Sequence, residues 1–183
     1  MGTIKSINLN AGHNAPNKVA CGAVGLIDES KENRVVTAVI ARELKKAGVK
    51  VYNTTVDNAV NQSKNLAGIV AKCNQHSVDL DIFIHFNSGA NNKKGNGKTT
   101  GTEVLMYSAS TIKTKAAKAI RREICKLGYK DRGTKIAKNL YVLRKSKNPG
   151  LLIECCFVDD KDDVKLYKAE TMGKAIAKAI LSI

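Results

Sequence analysis

The chain has 183 residues, 43% of them hydrophobic, which suits one domain with a sizeable core and excludes a disordered chain. Only 4% are aromatic and Trp is absent, so Ile, Val, Leu and Ala must fill that core. Lys and Arg number 31 against 16 Asp and Glu, a net charge of +15 that implies attraction to a polyanion, whether nucleic acid, anionic lipid or an acidic wall polymer.

The segment TIKSINLN, residues 3–10, carries Ile4, Ile7 and Leu9 and runs to Gly12, the pattern of a first strand. Over about 30–47 the apolar residues Val35, Val36, Val39, Ile40 and Leu44 recur at helical spacing, and Gly48 stops the helix. VKVYNTT follows as a strand, and a second helix over about 59–77 places Leu66, Ile69, Val70 and Cys73 on one face. DLDIFIHFN is the most apolar strand and is expected at the sheet centre. GTEVLMYS is another strand, after which Ser110 can cap a helix bearing Ile112, Ala116, Ile120 and Ile124 that ends before Gly128. NLYVLR and GLLIECC read as two further strands, and a last helix carries Met172, Ile176 and Ile180. Strands alternating with helices predict an α/β domain over 1–183, with a central mixed, largely parallel sheet of about six strands flanked by helices. Ligands in such sheets collect at the carboxyl ends of strands.

Cys21, Cys73, Cys125, Cys155 and Cys156 are odd in number and form no C-x-x-C pair, so they read as small buried hydrophobes of a reducing compartment. No run approaches the ~18 apolar residues of a membrane span, and MGTIKSINLN lacks an apolar signal core, so no membrane insertion is expected. GNGKTTG, residues 95–101, fails as a phosphate loop because Asn92 stands where the first Gly belongs and a strand follows it. It reads as a flexible basic connection.

Three histidines occur. His76 has polar neighbours and reads as a surface residue, whereas His13 in NAGHN and His85 in IFIHFN both fall at predicted strand ends. Asp28 and Glu29 open the first helix, and Glu154 interrupts the apolar run LLIECCFV, where a carboxylate is costly unless it is paired or used. Two histidines and carboxylates from separate elements would suit a metal-assisted hydrolase, with three protein ligands, an open position and a free carboxylate as proton acceptor.

Taken in order, the GH after the first strand, GLIDESKEN, DIFIHFNSG, GTEVLMYS, RGTK, LYVLR and PGLLIECCFVDD resemble the zinc-dependent N-acetylmuramoyl-L-alanine amidases of the type-3 class, and more closely the catalytic domains of clostridial phage endolysins. The resemblance runs from Ile4 to the last helix and rests on several motifs in order. It implies a zinc ion held by His13, Glu29 and His85, with Glu29 preferred because Asn33 follows it four residues on, and a catalytic Glu154. Cys155 and Cys156 replace the Gly that often precedes the Phe of the last motif. The implied reaction is hydrolysis of the amide between N-acetylmuramic acid and L-alanine by a zinc-activated water. Glu154 would take the proton of that water and return one to the leaving amine. Asn87 and Arg132 are candidate substrate contacts. The alternative on the same scaffold is a zinc peptidase cutting within the stem peptide; a nucleic-acid-binding protein lacks the aromatic stacking surface it would need. The implied partners are peptidoglycan and anionic wall polymers, not nucleic acid. A monomeric lysin made in the cytoplasm and acting on the wall is expected, without the C-terminal wall-binding module common in endolysins.

Overall fold

Asp28 accepts a hydrogen bond from the Lys31 amide (3.2 Å) and starts helix α1, Glu29–Lys46. Such a cap contributes ~1 kcal/mol. Glu29 and Glu32 in the first turn and Lys45 and Lys46 in the last complement the helix dipole, and Gly48 leaves the helix at φ 83°. The same elementary rules set the other elements of the computed structural model, which describes residues 4–183. The expected first strand begins at Thr3, which lies outside the described residues; the strand found is β1, Ser6–Ala11.

The remaining elements in chain order are β2 (Lys50–Asn53), α2 (Gln62–Cys73), β3 (Leu80–Asn87), β4 (Thr102–Met106), α3 (Thr111–Cys125), β5 (Asp131–Ile136), α4 (Tyr141–Lys145), β6 (Gly150–Phe157), α5 (Lys161–Leu166) and α6 (Ala169–Leu181). The six strands form one sheet in the order β2-β1-β3-β6-β4-β5. All neighbours are parallel except β4 with β6. The α/β reading therefore holds, and β3 and β6, the two most apolar strands, are central. Both sheet faces bury apolar side chains. Ile7, Leu9, Ile82, Ile84, Leu151 and Ile153 join the core under α1, α3 and α6. Phe83 and Leu152 face a smaller cluster with Ile69, Val70 and Cys73 of α2 and Val142 and Leu143 of α4.

Three readings change. NLYVLR is not a strand: Tyr141–Lys145 is a single helical turn or so that tucks Val142 and Leu143 against the α2 face. The sixth strand is instead DRGTKI, Asp131–Ile136, whose residues are exposed or half-buried at the sheet edge and so carry no apolar alternation. The GNGKTTG connection is tied down by three aspartates: Thr100 Oγ1 donates to Asp160, the Asn96 and Gly97 amides to Asp162, and the Gly101 amide to Asp163, while the Gly89 and Asn91 amides just before it donate to Asp159. Helix α2 is shorter than expected, and Ser110 occupies the N-cap of α3 without a side-chain bond. All five cysteines are free; Cys73, Cys155 and Cys156 are buried, and Cys21 and Cys125 are partly so.

Candidate functional site

Parallel pairing of β1 with β3 and of β3 with β6 brings three carboxyl-terminal strand ends together. His13 follows β1, His85 is the sixth residue of β3, and Glu154 is the register partner of His85 on β6. Glu29, the first residue of α1, faces them.

Glu29 is the centre of the cluster. Its Oε1 lies 3.2 Å from His13 Nε2 and 3.0 Å from His85 Nδ1, and it accepts the Phe86 amide at 3.1 Å. Its Oε2 accepts the Ala23 amide at 2.8 Å. The two imidazole rings meet edge-on, 4.8 Å between centroids. Burial alone would raise the Glu29 carboxyl, but the hydrogen bonds and charges of His13 and His85 hold it well below the ordinary range. Space is cleared for this arrangement by two glycines. A Cβ on Gly12 would overlap the His85 ring, and one on Gly22 (φ 84°) would come within 2.5 Å of Glu29 Oε2 and 2.7 Å of the His13 ring.

His13 itself sits at φ 64°, a left-handed conformation that costs a non-glycine residue ~1 kcal/mol or more and needs support. Arg34, five residues beyond Glu29 on α1, supplies it. Its Nη1 donates to Gly12 O (3.2 Å) and Ser30 O (2.8 Å), its Nη2 to His13 O (2.9 Å), and its fork grips Asp57 at 2.7 and 3.0 Å. Asn33 Nδ2 also donates to Gly12 O (2.9 Å). Asn14 binds the Ala59 amide and carbonyl, and Asn65 Nδ2 donates to Asn14 Oδ1. Thus the helix that presents Glu29 also fixes the backbone of His13.

Glu154 differs from Glu29 in that its carboxyl has no hydrogen-bond partner among the described residues. Its Oε2 is shielded from solvent and unbonded, although the residue keeps one partly open edge to the cleft. Burial first, and then the charges of Glu29 and Glu103, push its carboxyl up to about 8, with Lys135 opposing. Glu103 is its register partner on β4 and is nearly buried. Glu103 receives Arg132 Nε (2.9 Å), Lys135 Nζ (2.5 Å) and Asn87 Nδ2 (3.0 Å). Burial would raise Glu103 too, but those two cations outweigh it and keep it below its usual value. Glu154 therefore lies between two carboxylates that stay charged.

These residues open onto a cleft of about 430 Å³ whose floor is His13, Glu29, His85 and Glu154. Gln62 and Leu66 of α2 form one wall, and Asn139, Leu140, Tyr141 and Val142 at α4 form another. Asn87 also lines it, but its amide is committed to Glu103. Arg132 is engaged by Glu103 and lies over the Phe157 ring, 4.8 Å from its centroid, and is not among the lining residues. His76 stands apart, stacked on Tyr52 at 3.8 Å. Arg34 and Asp57 fall in no quoted motif, and Glu103 and the α4 wall lie inside GTEVLMYS and NLYVLR without standing out there: each acts through a contact between segments far apart in the chain.

One ligand atom each from His13, Glu29 and His85 falls within 4.8 Å of the others, the only such group of three among the described residues. Two imidazoles and a carboxylate are a donor set suited to a hydrolytic metal with an open position. The glycine clearances and the doubly used Glu29 show that the set is held in place by the fold.

Comparison with known proteins gives a consistent neighbourhood. Residues 7–182 match the family described as N-acetylmuramoyl-L-alanine amidase. An uncharacterized protein of Clostridium perfringens is 34% identical over 179 residues, covering 95% of this chain and 51% of that protein. The N-acetylmuramoyl-L-alanine amidase CwlM of Bacillus licheniformis is 28% identical over 152 residues, covering 82% of this chain and 56% of its own. The chain spans about half the length of the curated relatives it matches. Among solved structures, the catalytic domain of the CD27L endolysin targeting Clostridia Difficile superposes with a TM-score of 0.83 at 28% identity, covering 97% of both chains.

Proposed function

Because the chain belongs to the N-acetylmuramoyl-L-alanine amidase family, we propose that it hydrolyses the amide joining the lactyl carbonyl of N-acetylmuramic acid to L-alanine in peptidoglycan, as the catalytic part of a wall-lysing enzyme of endolysin type. The observation that carries this reading is the pairing of a preformed His13–Glu29–His85 donor set with an unpartnered Glu154 in one cleft.

Zinc fits the donor set, and when bound it would supply Lewis acidity toward a carbonyl and acidify a water molecule. The residues of the chain do the rest. His13, Glu29 and His85 would hold the ion, with Arg34 and the two glycines fixing where their donor atoms lie. Glu154, its carboxyl without a hydrogen bond among the described residues and seated within an apolar strand, accepts a proton from water and delivers one to the departing amine of L-alanine. A carboxyl lifted toward neutrality serves both directions of that transfer. Glu103, kept charged by Lys135 and Arg132, helps hold Glu154 in its proton-accepting range. The cleft walls at Leu66 and Tyr141 orient the glycan and stem peptide, and Asn87 is a substrate contact that exchanges Glu103 for a substrate carbonyl. Anionic wall polymers are the further partner implied by the charge, and no helix among the described residues is long and apolar enough to cross a membrane.

Turbidity loss of purified Clostridium or Bacillus walls tests the reading. Lysis should stop when a chelator strips the protein and return with stoichiometric zinc; lysis that proceeds unchanged in chelator would remove the metal from the account.

A further inference from the structure

The excess charge is not spread evenly. Residues 93–150 hold sixteen Lys and Arg against three acidic residues, so this segment carries thirteen of the net fifteen positive charges. The rest of the chain is nearly balanced, fifteen cations against thirteen anions. In the fold that segment is contiguous: it builds β4 and the edge strand β5, with α3 on one face of the sheet and α4 on the other. The β4–β5 side of the sheet is therefore more basic than the β1–β2 side, with Asp159, Asp160, Asp162 and Asp163 as the acids set against its loop.

All three acids of the segment are already used. Glu103 binds Arg132 and Lys135, Glu123 binds Lys126 and Arg122, and Asp131 binds Arg121. That leaves exposed lysines with no acidic partner among the described residues, including Lys94, Lys98, Lys118 and Lys130. Two of them, Lys98 and Lys130, line an open groove of about 590 Å³ together with Lys165 and a single acid, Asp162, whose carboxylate accepts the Asn96 and Gly97 amides. The loop carrying Lys94 and Lys98 is held rigid by Asp159, Asp160, Asp162 and Asp163, so these charges are presented in a fixed place. Fixed like charges on one edge cost self-repulsion, and a polyanion relieves it by releasing its counterions. The segment also includes Asn139–Val142, one wall of the catalytic cleft, so the basic edge adjoins the site.

We infer that the β4–α3–β5 edge is a docking surface for a linear polyphosphodiester of the kind attached to Gram-positive walls, which holds the wall strand beside the cleft. This rests on the proposed wall-hydrolase reading and assigns that enzyme a second binding surface within its catalytic domain. A repeating phosphate fits the evidence better than stacked bases, because the segment offers many separate ammonium groups and its exposed aromatic surface is little more than Tyr107.

Two quadruple variants with the same net charge separate a located surface from charge in bulk. One replaces Lys94, Lys98, Lys118 and Lys130 by Gln; the other replaces Lys31, Lys45, Lys64 and Lys168, exposed lysines of the near-neutral body. Co-sedimentation is measured on Bacillus walls, intact or stripped of phosphodiester polymer by acid extraction. At 50 mM salt the first variant should bind intact walls at least ~10-fold more weakly, and the second less than ~3-fold. The difference should fade near 0.5 M salt, where charges are screened beyond about 4 Å. On stripped walls both should bind like the parent, and turnover of a soluble muramoyl-peptide should be the same for all three. Equal losses for the two variants, or an undiminished deficit of the first variant on stripped walls, would overturn the inference. So would a first variant that binds walls normally while losing affinity for duplex DNA. If the parent releases no L-alanine amino termini, the hydrolase reading fails, a result distinguishable from any binding outcome.

Discussion

Replacing Glu154 by Gln should make the metal-free protein more stable at neutral pH while abolishing wall lysis. The Oε2 of Glu154 has no hydrogen-bond partner, and burial together with the charges of Glu29 and Glu103 raises its carboxyl from 4.5 to about 8. Because the folded value is the higher one, the stability this group contributes is fully present below about pH 4.5 and is lost as pH rises toward 8. At pH 7 the loss amounts to about 3 kcal/mol, at ~1.4 kcal/mol for each of the roughly 2.5 pH units above the unfolded value. Gln has the same shape and no proton to lose, but its amide inherits the unpartnered position, at a cost of ~1 kcal/mol or somewhat more. The expected net gain is about 1–2 kcal/mol, a rise in Tm of roughly 2–8 °C for a domain of this size. Chelator-treated parent and Glu154→Gln should be unfolded by heat or urea at pH 4.5 and pH 7.5. At the lower pH the variant should be less stable than the parent by ~1 kcal/mol or somewhat more, the cost of the unpartnered amide, and at the higher pH the order should reverse. A variant no more stable at pH 7.5, or a gain that ignores pH, would refute the idea that the fold holds this carboxyl against its own ionisation.

Substitutions at three other residues probe the supports of the site and of the loop beside it. His85→Ala removes one of three donors and should reduce bound zinc well below one per chain by elemental analysis; unchanged stoichiometry would exclude it as a ligand. Arg34→Ala should weaken zinc binding ~10–100-fold in chelator competition, as loss of an outer support typically does. Arg34→Lys should not restore affinity, because an ammonium cannot span Gly12 O, His13 O and Asp57 together; full rescue by Lys would show that charge alone matters. Asp163→Ala leaves the buried Gly101 and Phe157 amides without their acceptor, and should lower unfolding free energy by about 2–4 kcal/mol. A loss under ~1 kcal/mol in urea would mean that the loop is not held by this carboxylate.

The architecture was legible where burial writes itself into periodicity. β3 and β6 read as central because residues on both their faces are apolar, and α1 and α6 announce themselves by recurring Val, Ile and Ala. β5 was illegible for the converse reason: an exposed edge strand such as DRGTKI needs no apolar alternation, whereas NLYVLR looks like a strand because Val142 and Leu143 are buried from a single helical turn. The site followed the same division. His13, His85 and Glu154 stand out because imidazoles at strand ends and a carboxyl in an apolar run are locally odd, and the structure brings them together with Glu29 in one cleft. Arg34 and Glu103 look like ordinary members of a helix and a strand. Their roles arise from hydrogen bonds to residues 21 to 32 positions away, which no local pattern records. Arg132, a candidate substrate contact, pairs with Glu103 and lies over the Phe157 ring.

The most direct measurement is the chemistry of the ends created in digested wall. Purified Bacillus walls treated with the zinc-loaded chain should show new amino termini that are L-alanine alone, by dinitrophenylation and mass spectrometry, with intact muramic acid and no new reducing ends. Amino termini from other stem residues, or reducing ends without free L-alanine, would contradict the account.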